Sequence, residues 1–202
     1  MEINYSNFIS NLSASRKPSI IREMTRLISE AGPEMIPLST GMPNPELFPF
    51  TDMSVSGSRG EKITLTGAQM KRALQYLPTN GLPELVGQLK DLQRDVHCPP
   101  ESTWDKSDLC VTSGSQDGLC KALEMLMEQG STIITEEYVY PGTLAIMNPY
   151  HPNYITITSD GDGMIPEKLR ETLAKRWNPV AANVESKSDA PKLLYINATG
   201  SN

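Results

Sequence analysis

The 202-residue sequence has no apolar run approaching the roughly eighteen residues that a membrane helix needs, so no span is expected. It has no excess of positive charge. Lys and Arg number 18 against 24 Asp and Glu, for a net charge of −6 and a pI near 5.0. A nucleic-acid binder usually carries a basic excess or stripe, and neither is present. Histidine is scarce: His97 and His151 lie far apart without zinc spacing, so no metal site is expected. The three cysteines, Cys98, Cys110 and Cys120, form no Cys-x-x-Cys pair and read as reduced thiols. No Gly-Lys-Ser loop, no Gly-x-Gly-x-x-Gly fingerprint and no Ser-His-Asp order occurs. Asp160-Gly161-Asp162-Gly163 suggests a calcium loop, but that alignment puts Thr158 and Leu169 at the end ligand positions. A turn between strand and helix is the better account.

What is present is ordinary in bulk: 38% hydrophobic and 21% charged residues suit a globular chain with a real core. Proline is abundant at 16 residues, which implies many element starts and turns. Arg16, Lys17, Arg22 and Arg26 in a Ser-rich amino-terminal stretch suggest a mitochondrial presequence, and Glu2, Glu23 and Glu30 argue against a typical one. The expected compartment is therefore cytoplasmic or the mitochondrial matrix.

Element signals fall into two styles. Pro18 to Glu30 reads as a helix capped by Ser19, and Met35 to Ser39 as a short strand. Gly41-Met42-Pro43-Asn44-Pro45 breaks the pattern, and Pro49 continues the loop. A second helix is predicted over Ala68 to Tyr76. A third begins at Pro83, with Leu82, Leu85, Val86, Leu89, Leu92 and Val96 predicted as one buried stripe. From Asp108 strands and helices alternate. Leu109–Thr112, Thr132–Thr135, Tyr154–Thr158 and Leu193–Ile196 read as strands. Gln116–Glu128, a short helix from Pro141 and a helix over Pro166–Trp177 lie between them, and Asn178–Ala190 reads as a polar loop. This order predicts an α/β fold, a mostly parallel sheet with helices on both faces.

The sharpest chemical feature is Val111-Thr112-Ser113-Gly114-Ser115-Gln116, a strand running through a small-residue turn into a helix. A helix start offers free N–H groups and partial positive charge, a ready phosphate seat when serine hydroxyls stand beside it. Ser115 acting only as a helix cap remains the alternative. Glu136-Glu137-Tyr138-Val139-Tyr140-Pro141-Gly142 follows the next strand and is expected at the same sheet edge, where ligands bind in such folds. Tyr138 and Tyr140 there either cover a flat ligand or simply pack.

Taken in order, these segments resemble the fold-type I, pyridoxal-phosphate-dependent aminotransferases of class I/II, within them the kynurenine/α-aminoadipate and fungal aromatic aminotransferases. The resemblance also includes Gly41 to Phe50, Ala73-Leu74-Gln75-Tyr76, Gly81 to Leu85, Asp162 to Pro166 and the terminal Gly200-Ser201-Asn202. It implies a partial large domain over residues 46–202, preceded by an amino-terminal helical arm and small-domain segment over 1–45. It implies transfer of an amino group from 2-aminoadipate, kynurenine or an aromatic amino acid to a 2-oxo acid such as 2-oxoglutarate, in a homodimer. By the same resemblance Ser115 and Gln116 would hold the cofactor phosphate, Tyr140 would stack on its ring and Asn202 would bond the ring hydroxyl. Tyr76 would reach the phosphate of the other subunit's site, and Gly41 and Arg22 would lie near the substrate.

The family's Schiff-base lysine, the acidic partner of the ring nitrogen and the carboxylate-binding arginine all follow the loop in which Asn202 stands. None of the lysines here has the Ser-x-Ser-Lys context that the family uses. The chain as written is therefore expected to be catalytically silent alone, with no catalytic residue of its own. A non-catalytic isoform pairing with full-length subunits is one alternative, and a phosphate- or nucleotide-binding module another.

Overall fold

The structure is a computed structural model that describes residues 4–32, 34–36, 38, 41–176 and 191–198, without the side chains of Thr25, Arg26 and Ser29. In chain order the helices and strands are α1 (Asn11–Ala14), α2 (Ile20–Glu30), β1 (Asp52–Ser56), β2 (Lys62–Thr66), α3 (Gly67–Ala73), α4 (Pro83–His97), α5 (Glu101–Trp104), α6 (Ser115–Leu126), β3 (Thr132–Glu136), α7 (Pro141–Met147), β4 (Asn153–Ile157), β5 (Ser159–Asp160), β6 (Gly163–Met164), α8 (Pro166–Arg176) and β7 (Leu193–Tyr195). The chain divides into two compact units. One comprises Met1–Arg16 and Thr112–Asn202, the other Lys17–Val111.

The first unit is built on a three-stranded parallel sheet in the order β4-β3-β7. Successive strand residues point to opposite faces, and the sequence fills both. Ile133 packs with Leu123, Met127 and Met147, joined by Leu119, Leu144 and Leu193, so α6 and α7 cover one face. Ile134, Ile155 and Ile157 pack with Met164, Leu169 and Leu173, which places β6 and α8 on the other. Burial of each such side chain is worth about 1.5–3 kcal/mol. A sheet clothed on both faces is what the strand-helix alternation predicts. The Asp160–Gly163 segment is a tight β5–β6 hairpin turn, with Asp162 N–H donating to Asp160 Oδ1 at 2.9 Å.

The amino-terminal segment is tied to α6. Ser10 is fully buried; its N–H donates to the Met125 carbonyl at 2.9 Å and its hydroxyl to the Glu124 carbonyl at 3.2 Å. Arg16 pairs with Glu124 at 3.1 Å.

The second unit holds an element to which the sequence reading assigned no structure. Strands β1 and β2 form an antiparallel hairpin from Asp52↔Thr66 to Ser56↔Lys62, with α3 following directly. Helix α4 starts with Pro83 in its first turn as expected and stops at Cys98, which adopts φ 42° and returns its N–H to the Arg94 carbonyl. Helix α2 likewise begins after Ser19, although the serine hydroxyl makes no capping bond.

Three expectations need correction here. Leu109–Thr112 is not a strand. Its Val111 N–H donates to the Asn80 carbonyl at 2.8 Å, so that backbone bond goes to a loop and not to a ladder. The described part of Met35–Ser39 forms no strand either, with Ile36 and Leu38 exposed. The stripe on α4 is not buried as a whole. Val86 is buried, but Leu85, Leu92 and Val96 are 40%, 52% and 62% exposed, because a helical stripe is buried only where another layer lies against it. The reading of Asn178–Ala190 as a polar loop, and of Trp177 as helical, lies outside the described residues.

Candidate functional site

The strand order creates the site. From β3 the chain passes through α7 to β4 on one side, whereas β7 lies on the other side of β3. The carboxyl ends of β3 and β7 therefore flank a switch point, the place where open α/β sheets bind ligands. A cleft of about 450 Å³ opens there, within the range that small-molecule sites occupy. Its walls come from the start of α6 (Ser115, Gln116), the segment leading into α7 (Tyr138, Tyr140, Pro141) and the end of β7 (Tyr195, Asn197).

Helix α6 presents its amino terminus to this cleft. Gly114 is the cap residue at φ 90°, and no side chain caps the helix. The capping role weighed for Ser115 is thus taken by the glycine backbone, and Ser115 is the first helical residue. The leading N–H groups of a helix have no intrahelical partner, and they concentrate the helix's positive end. Asp117 in the same turn accepts from Lys121 and from Ser113 N–H, the latter at 3.0 Å. Those two bonds hold its carboxyl below the usual carboxylate range. Thus the acidic group nearest the helix start is engaged in bracing the turn.

Gln116 crosses to the neighbouring helix start, its Nε2 donating to the Gly142 carbonyl at 3.0 Å. One of its two amide hydrogens is thereby committed to bracing. Tyr140 precedes α7 and remains 54% exposed. Its ring lies against Gly142 so closely that a β-carbon there would sit 2.3 Å from Cε1. A flat, partly exposed ring on an open wall suits stacking against another flat ring.

The far wall carries two contacts that the sequence reading missed. Thr143, fully buried, donates its hydroxyl to the Tyr195 phenol oxygen at 3.0 Å. The carboxylate of Glu136, only 4% exposed, accepts the Asn197 N–H at 3.0 Å and fixes how the chain leaves β7. The partners are about 50 to 60 positions apart in sequence. Only the parallel β3–β7 register could have disclosed them.

Of the residues expected to form a site, Ser115, Gln116 and Tyr140 come together in the cleft. Asn202 lies outside the described residues. Arg22, Gly41 and Tyr76 belong to the other unit, where all three are exposed. Gln75, beside Tyr76, donates to the Pro43 carbonyl at 3.0 Å and ties that tyrosine's segment to the Gly41–Pro45 loop. Among the described residues no cluster of His, Cys, Asp and Glu is suited to a metal ion. No described helix is long and apolar enough to cross a membrane.

No family model matches the sequence. The chain is 44% identical over 204 residues to the mitochondrial kynurenine/alpha-aminoadipate aminotransferase of Bos taurus, covering 99% of this chain and 48% of that protein. The Mus musculus protein of the same name is 42% identical over the same extents. Among solved structures, aminotransferase Aro8 from Candida albicans superposes with a TM-score of 0.77 at 27% identity, over 96% of this chain and 42% of that one. The chain thus spans about half the length of the curated relatives it matches.

Proposed function

We infer that this chain, which matches the amino-terminal half of the fold-type I aminotransferases in sequence and fold, forms the phosphate and ring seat of a pyridoxal 5'-phosphate-dependent aminotransferase. The reaction is transfer of an amino group from an amino acid to a 2-oxo acid. On the relatives' printed names, 2-aminoadipate and kynurenine are the donors proposed, with aromatic amino acids beside them. The observation that carries the reading is the uncapped start of α6 facing a cleft that Tyr140 also lines.

The donor set fits the cofactor. A phosphate dianion suits the free N–H groups and hydroxyl at Ser115 and the N–H of Gln116. The Tyr140 ring offers a face for the pyridine, and Asn202 is proposed to reach the ring hydroxyl. When bound, pyridoxal phosphate supplies the electron sink of the reaction. This chain's residues bind and orient: α6 neutralises charge, Tyr140 excludes water from one ring face, and Gln116 keeps both walls in register. Gly41, Arg22 and Tyr76 are proposed to act on substrate and on a second subunit's phosphate. Among the described residues no lysine lines the cleft, so none of them places a side-chain amine there to take and return a proton. We accordingly read the 202-residue chain as a binding half and not as a catalyst by itself, in a protein of the mitochondrial matrix or cytoplasm that pairs as a homodimer.

Isothermal titration calorimetry with pyridoxamine 5'-phosphate tests this without Schiff-base formation at surface lysines. The phosphorylated compound is expected to bind roughly tenfold or more tightly than pyridoxamine, the scale of a favourable anion at a helix start. Equal affinity for the two, or no binding, would overturn the reading.

A further inference from the structure

We propose that Tyr195 is a further ligand-binding residue of this cleft, its phenolic O–H donating to an acceptor atom of the phosphorylated ring compound seated there. The inference rests on the cofactor-binding reading above. Its geometry begins in the ladder. Tyr195 pairs with Thr135 across the parallel β3–β7 register, two residues beyond Leu193, which packs under α7. The alternation of β7 therefore carries Tyr195 on the same face as Leu193, at the strand end where the cleft opens.

The hydrogen-bond inventory then fixes the state of its oxygen. A threonine hydroxyl has one hydrogen. Thr143 gives that hydrogen to the Tyr195 oxygen at 3.0 Å, while its backbone N–H goes to the Tyr140 carbonyl at 2.9 Å. Because Thr143 is fully buried, no water competes for the bond. The phenol oxygen is thus an acceptor towards the core. Its own hydrogen remains, and among the described residues nothing receives it. A half-buried tyrosine on a cleft wall with its donor unspent is complementary to an acceptor such as a phosphate or ring oxygen. A phenylalanine would fill the same space without leaving the buried Thr143 hydroxyl an acceptor, so two functions converge on one oxygen.

Two conservative variants separate ligand contact from architecture. Tyr195→Phe removes the donor to the ligand and the acceptor for Thr143. Thr143→Val removes only the inward bond and leaves the phenol hydrogen free for the ligand. With pyridoxamine 5'-phosphate as probe, Tyr195→Phe is expected to weaken binding roughly three- to tenfold, the yield of one hydrogen bond. Thr143→Val is expected to lower thermal stability and to weaken binding by a clearly smaller factor than Tyr195→Phe, because the phenol donor is kept. Unchanged affinity in Tyr195→Phe, or equal losses of affinity in both variants, would reduce the pair to a structural bond and overturn the proposal. If the unmodified chain itself fails to bind the probe, the reading of the cleft falls first and this inference with it.

Discussion

At Gly142 one missing side chain decides where an aromatic ring lies. The Tyr140 ring occupies the space that a β-carbon on residue 142 would need, 2.3 Å from Cε1. Gly142→Ala is therefore expected to swing the ring off its seat, because the ring is more easily moved than the start of α7. The expected outcome is a roughly two- to tenfold weaker affinity for pyridoxamine 5'-phosphate by calorimetry, the worth of one aromatic contact. Stability should change by less than about 1 kcal/mol, since the ring is exposed on its other side. Residue by residue, the sequence pointed to those cleft-lining residues whose placement is local. Ser115, Gln116 and Tyr140 each stand beside a turn or helix start written in Gly, Ser and Pro. Tyr195, Thr143 and Glu136 carried no such mark. Their contacts depend on strand register, and a lone tyrosine or threonine in an apolar run looks like packing.

Among elements, α6 shows how much a helix owes to the residue before it. Gly114 sits at φ 90° and ψ 170°, a conformation open essentially to glycine alone. A β-carbon there meets no atom within 4 Å, so any cost of substitution is backbone strain and not a clash. Gly114→Ala is expected to lose about 1–3 kcal/mol in chemical denaturation, or to shift the helix start and weaken phosphate binding. Elements bounded by Gly or Pro or packed on a two-sided core were legible: α6, α7, α8, β3, β4 and β7 all appear within a few residues of their predicted places. The misses trace to neighbours and to exposure. Leu109–Thr112 has strand composition, but a strand exists only against a neighbour, and its Val111 N–H bonds to the Asn80 carbonyl instead. Helix α4 has the right period, yet periodicity states which face is apolar and not what lies against it. The β1–β2 hairpin escaped the reading although Met53 and Val55 face Leu65 and Ile63 across it. Its short strands are exposed throughout but for Leu65, so polar and apolar residues mix without a strong signal.

For the whole molecule, the distribution of buried apolar side chains predicts where stability resides. Among the described residues, Leu123, Met127, Ile133, Ile134, Met147, Ile155 and Ile157 are buried in one unit, against Met70 and Val86 in the other. Hydrogen exchange followed by mass spectrometry is expected to show β3 and β4 protected longest. The β1–β2 hairpin and α4 should exchange at least roughly tenfold faster, because local opening follows thin cores. Uniform protection across both units would contradict this. The sheet-bearing unit is also discontinuous in sequence. Its amino-terminal strap, Met1–Arg16, is separated from the rest of the unit by Lys17–Val111. The carbonyls of Glu124 and Met125 that receive Ser10 lie more than a hundred residues downstream. On a ribosome, which adds residues in order, the strap leaves the exit tunnel long before its dock has been synthesised. It must wait, unpaired, while the intervening unit emerges, so closure of this body is a late event of biogenesis, and the strap is the segment most open to capture by a chaperone in the interval.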